Sequence, residues 1–136
     1  MILVACIDAN KGTMFNNRRQ SRDRALIEHI LELGENKKIW ISNFSKDLFE
    51  GCENVLVDDD FINKIEDNDI CFVENIALSS MLNKANTIIL YNWNREYPSD
   101  KYLDITLDDW ALETERDFVG YSHERITEQI YVRRKM

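Results

Sequence analysis

Apolar residues fall along this chain in short unbroken runs separated by polar turns, and one stretch spaces them at helical intervals. The run from Met1 to Ile7 is continuously apolar, the pattern of a central strand covered on both faces. Asp8 to Asn17, which contains Gly12, reads as a loop. Ser21 is a suitable N-cap for a helix in which Leu26, Ile27, Ile30 and Leu31 recur at helical spacing, and Gly34 sits where that helix would stop. Lys38 to Ser42 predicts a second strand. A short helix over Lys46 to Phe49 and a turn at Gly51 lead to a third strand, Asn54 to Val57. Asp58, Asp59 and Asp60 form a solvated turn and N-cap before a short helix over Phe61 to Ile65. Ile70 to Val73 is the fourth strand, Ile76 to Leu82 a helix, and Thr87 to Trp93 the fifth strand. Beyond Asp109 and Trp110, two strand-like segments, Ala111 to Phe118 and Ile126 to Arg133, flank turn chemistry at Gly120. Strands alternating with helices and ending in a hairpin predict an α/β domain, a mostly parallel sheet flanked by helices with an antiparallel C-terminal hairpin.

Composition narrows this picture. The 136 residues suit one domain, 1–136, with enough chain to bury a core. One proline and four glycines leave no linker or low-complexity tract. No apolar run approaches the ~20 residues of a membrane span. Met1 opens directly into a strand pattern, so no signal peptide is expected. Cys6, Cys52 and Cys71 are odd in number and lack metal-ligand spacing, which predicts reduced thiols and a cytoplasmic location. A formal charge of −8 argues against nucleic acid as a partner. The charge is uneven, because Lys11, Arg18, Arg19, Arg22 and Arg24 give the first 24 residues about +3 and leave about −11 for the rest.

Four segments resemble the dihydrofolate reductase family in order and spacing. ILVACIDANKGTMFNNR is similar to the first strand and substrate loop, KKIWISNFSKDLF to the second strand and the turn after it, and ICFVENIALSSMLNKANTIIL to the strand, turn and strand that follow. The stretch from Glu96 to Trp110 matches the acidic loop before the terminal hairpin. The resemblance covers nearly the whole chain and implies the reductase fold.

The family's chemistry does not carry over with it. Between Gly51 and Gly120 there is no glycine. Where the family has a Gly-Gly turn that lets the cofactor pyrophosphate approach the backbone, this chain has Val73 and Glu74, or Glu74 and Asn75. Ser42, Asn43, Phe44 and Ser45 stand for the family's Gly-Arg-x-Thr. Asp58, Asp59 and Asp60 stand where the family places Ser and Arg against the 2′-phosphate of NADPH, and carboxylates there would repel it. Leu-Pro-Trp becomes Arg19, Gln20 and Ser21. The substrate-clamping arginine falls in Glu50 to Asn54, which has none. Register puts Leu26 at the family's general acid, with Asp23 and Glu28 the nearest carboxylates.

His29 and His123 lack a Cys, Ser or Asp in catalytic or metal-ligand spacing and read as core or surface histidines. Trp40 and Trp93 read as core or cleft wall, Trp110 as a packing residue. The arginines are the unusual signal, since cations at a helix start oppose the macrodipole. The sequence therefore predicts a protein that has lost reductase activity and binds or regulates through its former cleft. Arg18, Arg19, Arg22 and Arg24 are the candidate binding residues, and Val4, Asp23, Trp40 and Glu74 the remnant of the cleft. The expected partner is a small anion or an acidic protein, with no catalytic residue, metal or cofactor and no membrane contact. The alternative is a divergent NADPH-dependent reductase. A decoy or inhibitor from a mobile element also fits the short chain, although no residue selects it.

Overall fold

The protein, described here over residues 1–134 of a computed structural model, is built on a seven-stranded sheet. Its strands are β1 (Ile2–Ile7), β4 (Ile39–Ile41), β5 (Val55–Val57), β6 (Ile70–Phe72), β7 (Thr87–Asn92), β9 (Trp110–Phe118) and β10 (Ile126–Arg133). They lie in the order β5-β4-β6-β1-β7-β10-β9. The first five run parallel; β10 pairs antiparallel with β7 and with β9. The apolar runs decide this order, because strands buried on both faces occupy the middle.

Alternation along each strand sorts the core into two layers. Leu3, Ala5 and Ile7 of β1 face one way and pack with Cys71, Ile88, Leu90 and Trp110. Val4 faces the other way and packs with Ile41, Phe72, Ile89 and Tyr91. The second layer is covered by the one α-helix of the described residues, α1 (Arg24–Leu33), through Leu26, Ile27 and Ile30. Burying each such side chain contributes about 1.5–3 kcal/mol before ordering costs. Gly34 closes α1, its N–H donating to the Ile30 carbonyl at 3.0 Å.

The remaining predicted helices are single or double 3₁₀ turns: Asn43–Phe49, Phe61–Asn63, Leu78–Ser80 and Leu82–Lys84. Each segment is too short to repay α-helix nucleation, and Ser and Asn within them favour local turns. At Phe61 the aspartates make a turn without a side-chain cap: the Asp58 carboxylate accepts the Asp60 N–H at 2.8 Å.

Two sequence expectations are corrected here. The N-cap of α1 is Asp23, whose carboxylate accepts the Ala25 N–H at 2.9 Å, and not Ser21. The segment expected as a loop folds into β2 (Gly12–Phe15), which pairs with β3 (Arg18–Arg19) and β8 (Lys101–Tyr102) in a second, three-stranded sheet. Asp8, fully buried at the end of β1, organises this sheet. It accepts the N–H groups of Gly12, Asn10 and Tyr97 at 2.8, 2.9 and 3.0 Å. Burial alone would raise its pKa, but these bonds and one from Ser99 outweigh it and lower the value.

Candidate functional site

A cavity of about 400 Å³ opens between the start of α1, the small sheet and the ends of β1 and β6. Its walls are apolar at Ala5, Leu26, Ile27, Leu48, Phe72 and Leu103, and polar where Arg19, Ser21, Arg22, Asp23, Glu74 and Lys101 converge. Apolar walls with a few converging polar groups are typical of small-molecule sites.

The polar side of the cavity has two centres. At the first, Arg19 on β3 faces Glu74 just beyond β6. Its Nε and Nη2 donate to Glu74 Oε2 and Oε1 at 2.8 and 3.0 Å, and its Nη1 and Nη2 to the Asp47 carboxylate at 2.8 and 2.9 Å. Nη2 also reaches the Phe44 carbonyl at 3.2 Å. The Ser45 hydroxyl donates to Glu74 Oε1 at 2.7 Å. The planar guanidinium thus bridges two carboxylates from different turns. Burial would lower the Arg19 pKa, yet Glu74 and Asp47 raise it further, while the bond from Arg19 lowers that of Asp47. Cys6 lies on the same wall, its thiol pKa pushed well up by burial and by Glu74.

At the second centre, Asp23 and His123 are both buried, with Asp23 Oδ2 2.9 Å from His123 Nδ1. Asp23 also accepts the N–H groups of Tyr121 and Ser122 at 3.0 and 2.9 Å. Burial raises its pKa, but the bonds from His123 and these amides outweigh that and hold the carboxyl far below the usual range. On the other side of the ring, Nε2 lies 3.0 Å from the Ser21 hydroxyl and 2.9 Å from that of Tyr97. Trp93 stacks on the imidazole at 4.5 Å between centroids. Gly120 permits this approach, since a Cβ there would meet Asp23 Oδ2 at 2.5 Å and the His123 carbonyl at 2.9 Å.

The structure scatters the arginines singled out by the sequence. Arg19 turns into the cavity wall and is consumed by Glu74 and Asp47. Arg22 lines the cavity mouth, 62% exposed and 3.6 Å from Asp47. Arg24 pairs with Glu28 at 3.7 Å and lies over the Tyr121 ring. Arg18, exposed on β3, does not line the cavity. Of the expected cleft residues, Asp23 and Glu74 line it. Val4 lies in the core under α1, and Trp40 lies in the opposite layer, its Nε1–H donating to Asp69 at 2.9 Å. Strand alternation aims Trp40 into the first layer, whereas Val4 shares the face of Cys6 and is packed among the side chains under α1.

His123 escaped the sequence reading because its partners are 100 and 102 residues away. His29 likewise has a distant partner: its Nε2 lies 2.7 Å from Glu128, fully buried on β10, which also accepts from Tyr91 at 2.8 Å and from Arg116 at 2.9 Å. Among the described residues no group of His, Cys, Asp and Glu could hold a metal ion, and no helix is long and apolar enough to cross a membrane.

No family model matches the sequence, and no curated protein matches it. Among solved structures the chain is similar to dihydrofolate reductase from Enterococcus faecalis complexed with NADP(H) and RAB-propyl. The TM-score is 0.70 at 9% identity, covering 98% of this chain and 96% of that one. With its mostly parallel sheet, antiparallel terminal hairpin and α1 beside the cleft, the chain has a dihydrofolate reductase-like fold.

Proposed function

We propose that this protein does not use NADPH and acts as a binding or regulatory protein whose cleft takes a small organic anion. One observation carries the reading: the bridge from Arg19 to Glu74 and Asp47 lies on the wall where the reductase resemblance expects a glycine turn open to the cofactor. A diphosphate entering there would meet the Glu74 carboxylate and would have to displace a bidentate pair. The turn after β4 is also occupied, because the Asn43 N–H already donates to Asp59 at 2.9 Å. Each lost charge-assisted contact costs about 1.5–3 kcal/mol, and 1.4 kcal/mol is tenfold in affinity, so a micromolar site becomes weaker than millimolar. Arg22 and Lys101 remain on the cavity wall to attract an anion.

Trp93 lines the cavity and reports on its contents. Titrating NADPH while following tryptophan fluorescence should give no saturable change below the millimolar range. A saturating response at low micromolar concentration would overturn the reading.

A further inference from the structure

The geometry points to Ser21, His123 and Asp23 as a nucleophile, base and orienting carboxylate that transfer the acyl group of a carboxylic ester bound in the cavity. The inference builds on the reading that the cleft takes a ligand other than NADPH and goes beyond binding. Five contacts define it: Ser21 Oγ to His123 Nε2 at 3.0 Å, His123 Nδ1 to Asp23 Oδ2 at 2.9 Å, and Asp23 to the amides of Ala25, Tyr121 and Ser122 at 2.9, 3.0 and 2.9 Å. A nucleophile in reach of a base that a third group orients is the signature of covalent acyl transfer, recognised by geometry and not by order in the chain.

The surroundings suit the roles. Burial opposes a charge on Asp23, but the three amide protons it accepts and the bond from His123 outweigh this and keep it a carboxylate, which assigns the imidazole proton to Nδ1 and leaves Nε2 free to accept. Stacking on Trp93 restrains the ring. Two hydroxyls compete for Nε2, those of Ser21 and Tyr97, and of the two only Ser21 lines the cavity. Tyr97 can instead donate to Ser21 Oγ at 3.3 Å, which supports the serine as it loses its proton.

The step balances without a further reagent than water. The Ser21 Oγ–H proton passes to His123 Nε2 as Oγ bonds to the ester carbonyl carbon. The C–O bond to the alcohol then breaks, and the alcohol leaves with the proton from Nε2. Water attacks the acyl–Ser21 ester, gives its proton to Nε2, and the acid departs as Ser21 is reprotonated. Leu26, Ile27, Leu48 and Phe72 suit an apolar acyl chain, while Arg22 and Lys101 suit an anionic group on the same substrate.

A fluorophosphonate ester tests this directly, since its phosphorus takes the place of the carbonyl carbon and fluoride leaves as Oγ bonds to it. After incubation with the folded protein, peptide mass spectrometry should find one adduct per chain, on Ser21. The adduct should be absent when the protein is unfolded in urea before labelling, because the reactivity of Ser21 depends on His123 held beside it. Ser21→Ala should keep the melting temperature and lose the adduct, and Asp23→Asn should slow labelling by roughly a hundredfold or more. No adduct on Ser21, or an adduct that forms equally well in the unfolded chain, overturns the inference; both are measured on the unaltered protein and so stand even if Asp23→Asn does not fold. Labelling and the NADPH titration fail separately, because either result can be obtained without the other.

Discussion

Arg19 and Glu74, fifty-five residues apart in the chain, meet through two hydrogen bonds of 2.8 and 3.0 Å on the wall of the cavity. The pair is mostly withdrawn from water, with 19% and 10% of the two side chains exposed. Removing one partner of such a pair strands a desolvated charge, whereas removing both does not. Arg19→Ala is therefore expected to cost about 2–4 kcal/mol in chemical denaturation, and Arg19→Ala with Glu74→Ala less than the sum of the two single changes. Additive effects would show that the bridge contributes nothing.

The exposed arginines behave differently. Arg18 and Arg24 lie on the surface, Arg24 in a solvent-screened pair with Glu28. Replacing either by Ala should change stability by less than ~0.5 kcal/mol, measured by the same denaturation curves. A larger loss at Arg18 would mean that β3 depends on it.

Acid should loosen the terminal hairpin. Burial raises the Glu128 pKa, but hydrogen bonds from His29, Tyr91 and Arg116 outweigh this and lower it from 4.5 to about 2 in the folded protein. The folded state thus binds fewer protons than the unfolded one across that interval. Its contribution is complete above pH 4.5 and is lost as the pH falls through about 2, a direction shared by Asp8 and Asp23. The denaturation midpoint should drop steadily below pH 4.5, and Glu128→Gln should flatten the slope. An unchanged slope in that variant would place the acid sensitivity elsewhere.

Gly120→Ala probes the approach of the terminal turn to α1. The added methyl meets Asp23 Oδ2 and the His123 carbonyl well inside van der Waals distance, one of them a backbone atom that cannot swing aside. A loss of about 1–3 kcal/mol is expected, with a fall in melting temperature. Retained stability would mean that the turn can move away from Asp23.

The strands were the legible part of this fold because their signal is local. Met1 to Ile7 and Thr87 to Trp93 each contain a whole strand, and Gly34 stops α1 as read. The small sheet was not legible, since strands of two to four residues such as Arg18–Arg19 are too short for any period to show. Ser21 and Asp23 are both good caps, and the choice fell to Asp23 because its carboxylate also gathers amides from residues 121 and 122. For the site, Glu74 was visible as a carboxylate in an unusual place, but its pairing with Arg19 was not. The neighbourhood of His123 was hidden altogether, because no local pattern links it to positions 21 and 23.

The register of β10 against β7, six consecutive pairs from Thr127 opposite Asn92 to Val132 opposite Thr87, has a consequence during synthesis. Until β10 leaves the ribosome, β7 is a bare edge of the sheet, with an apolar run and unpaired backbone groups that could recruit another nascent chain. The hairpin that protects this edge also delivers His123 to Asp23. Completion of the cleft and protection of the β7 edge are thus the same event, and a chain cut before β10 forfeits both.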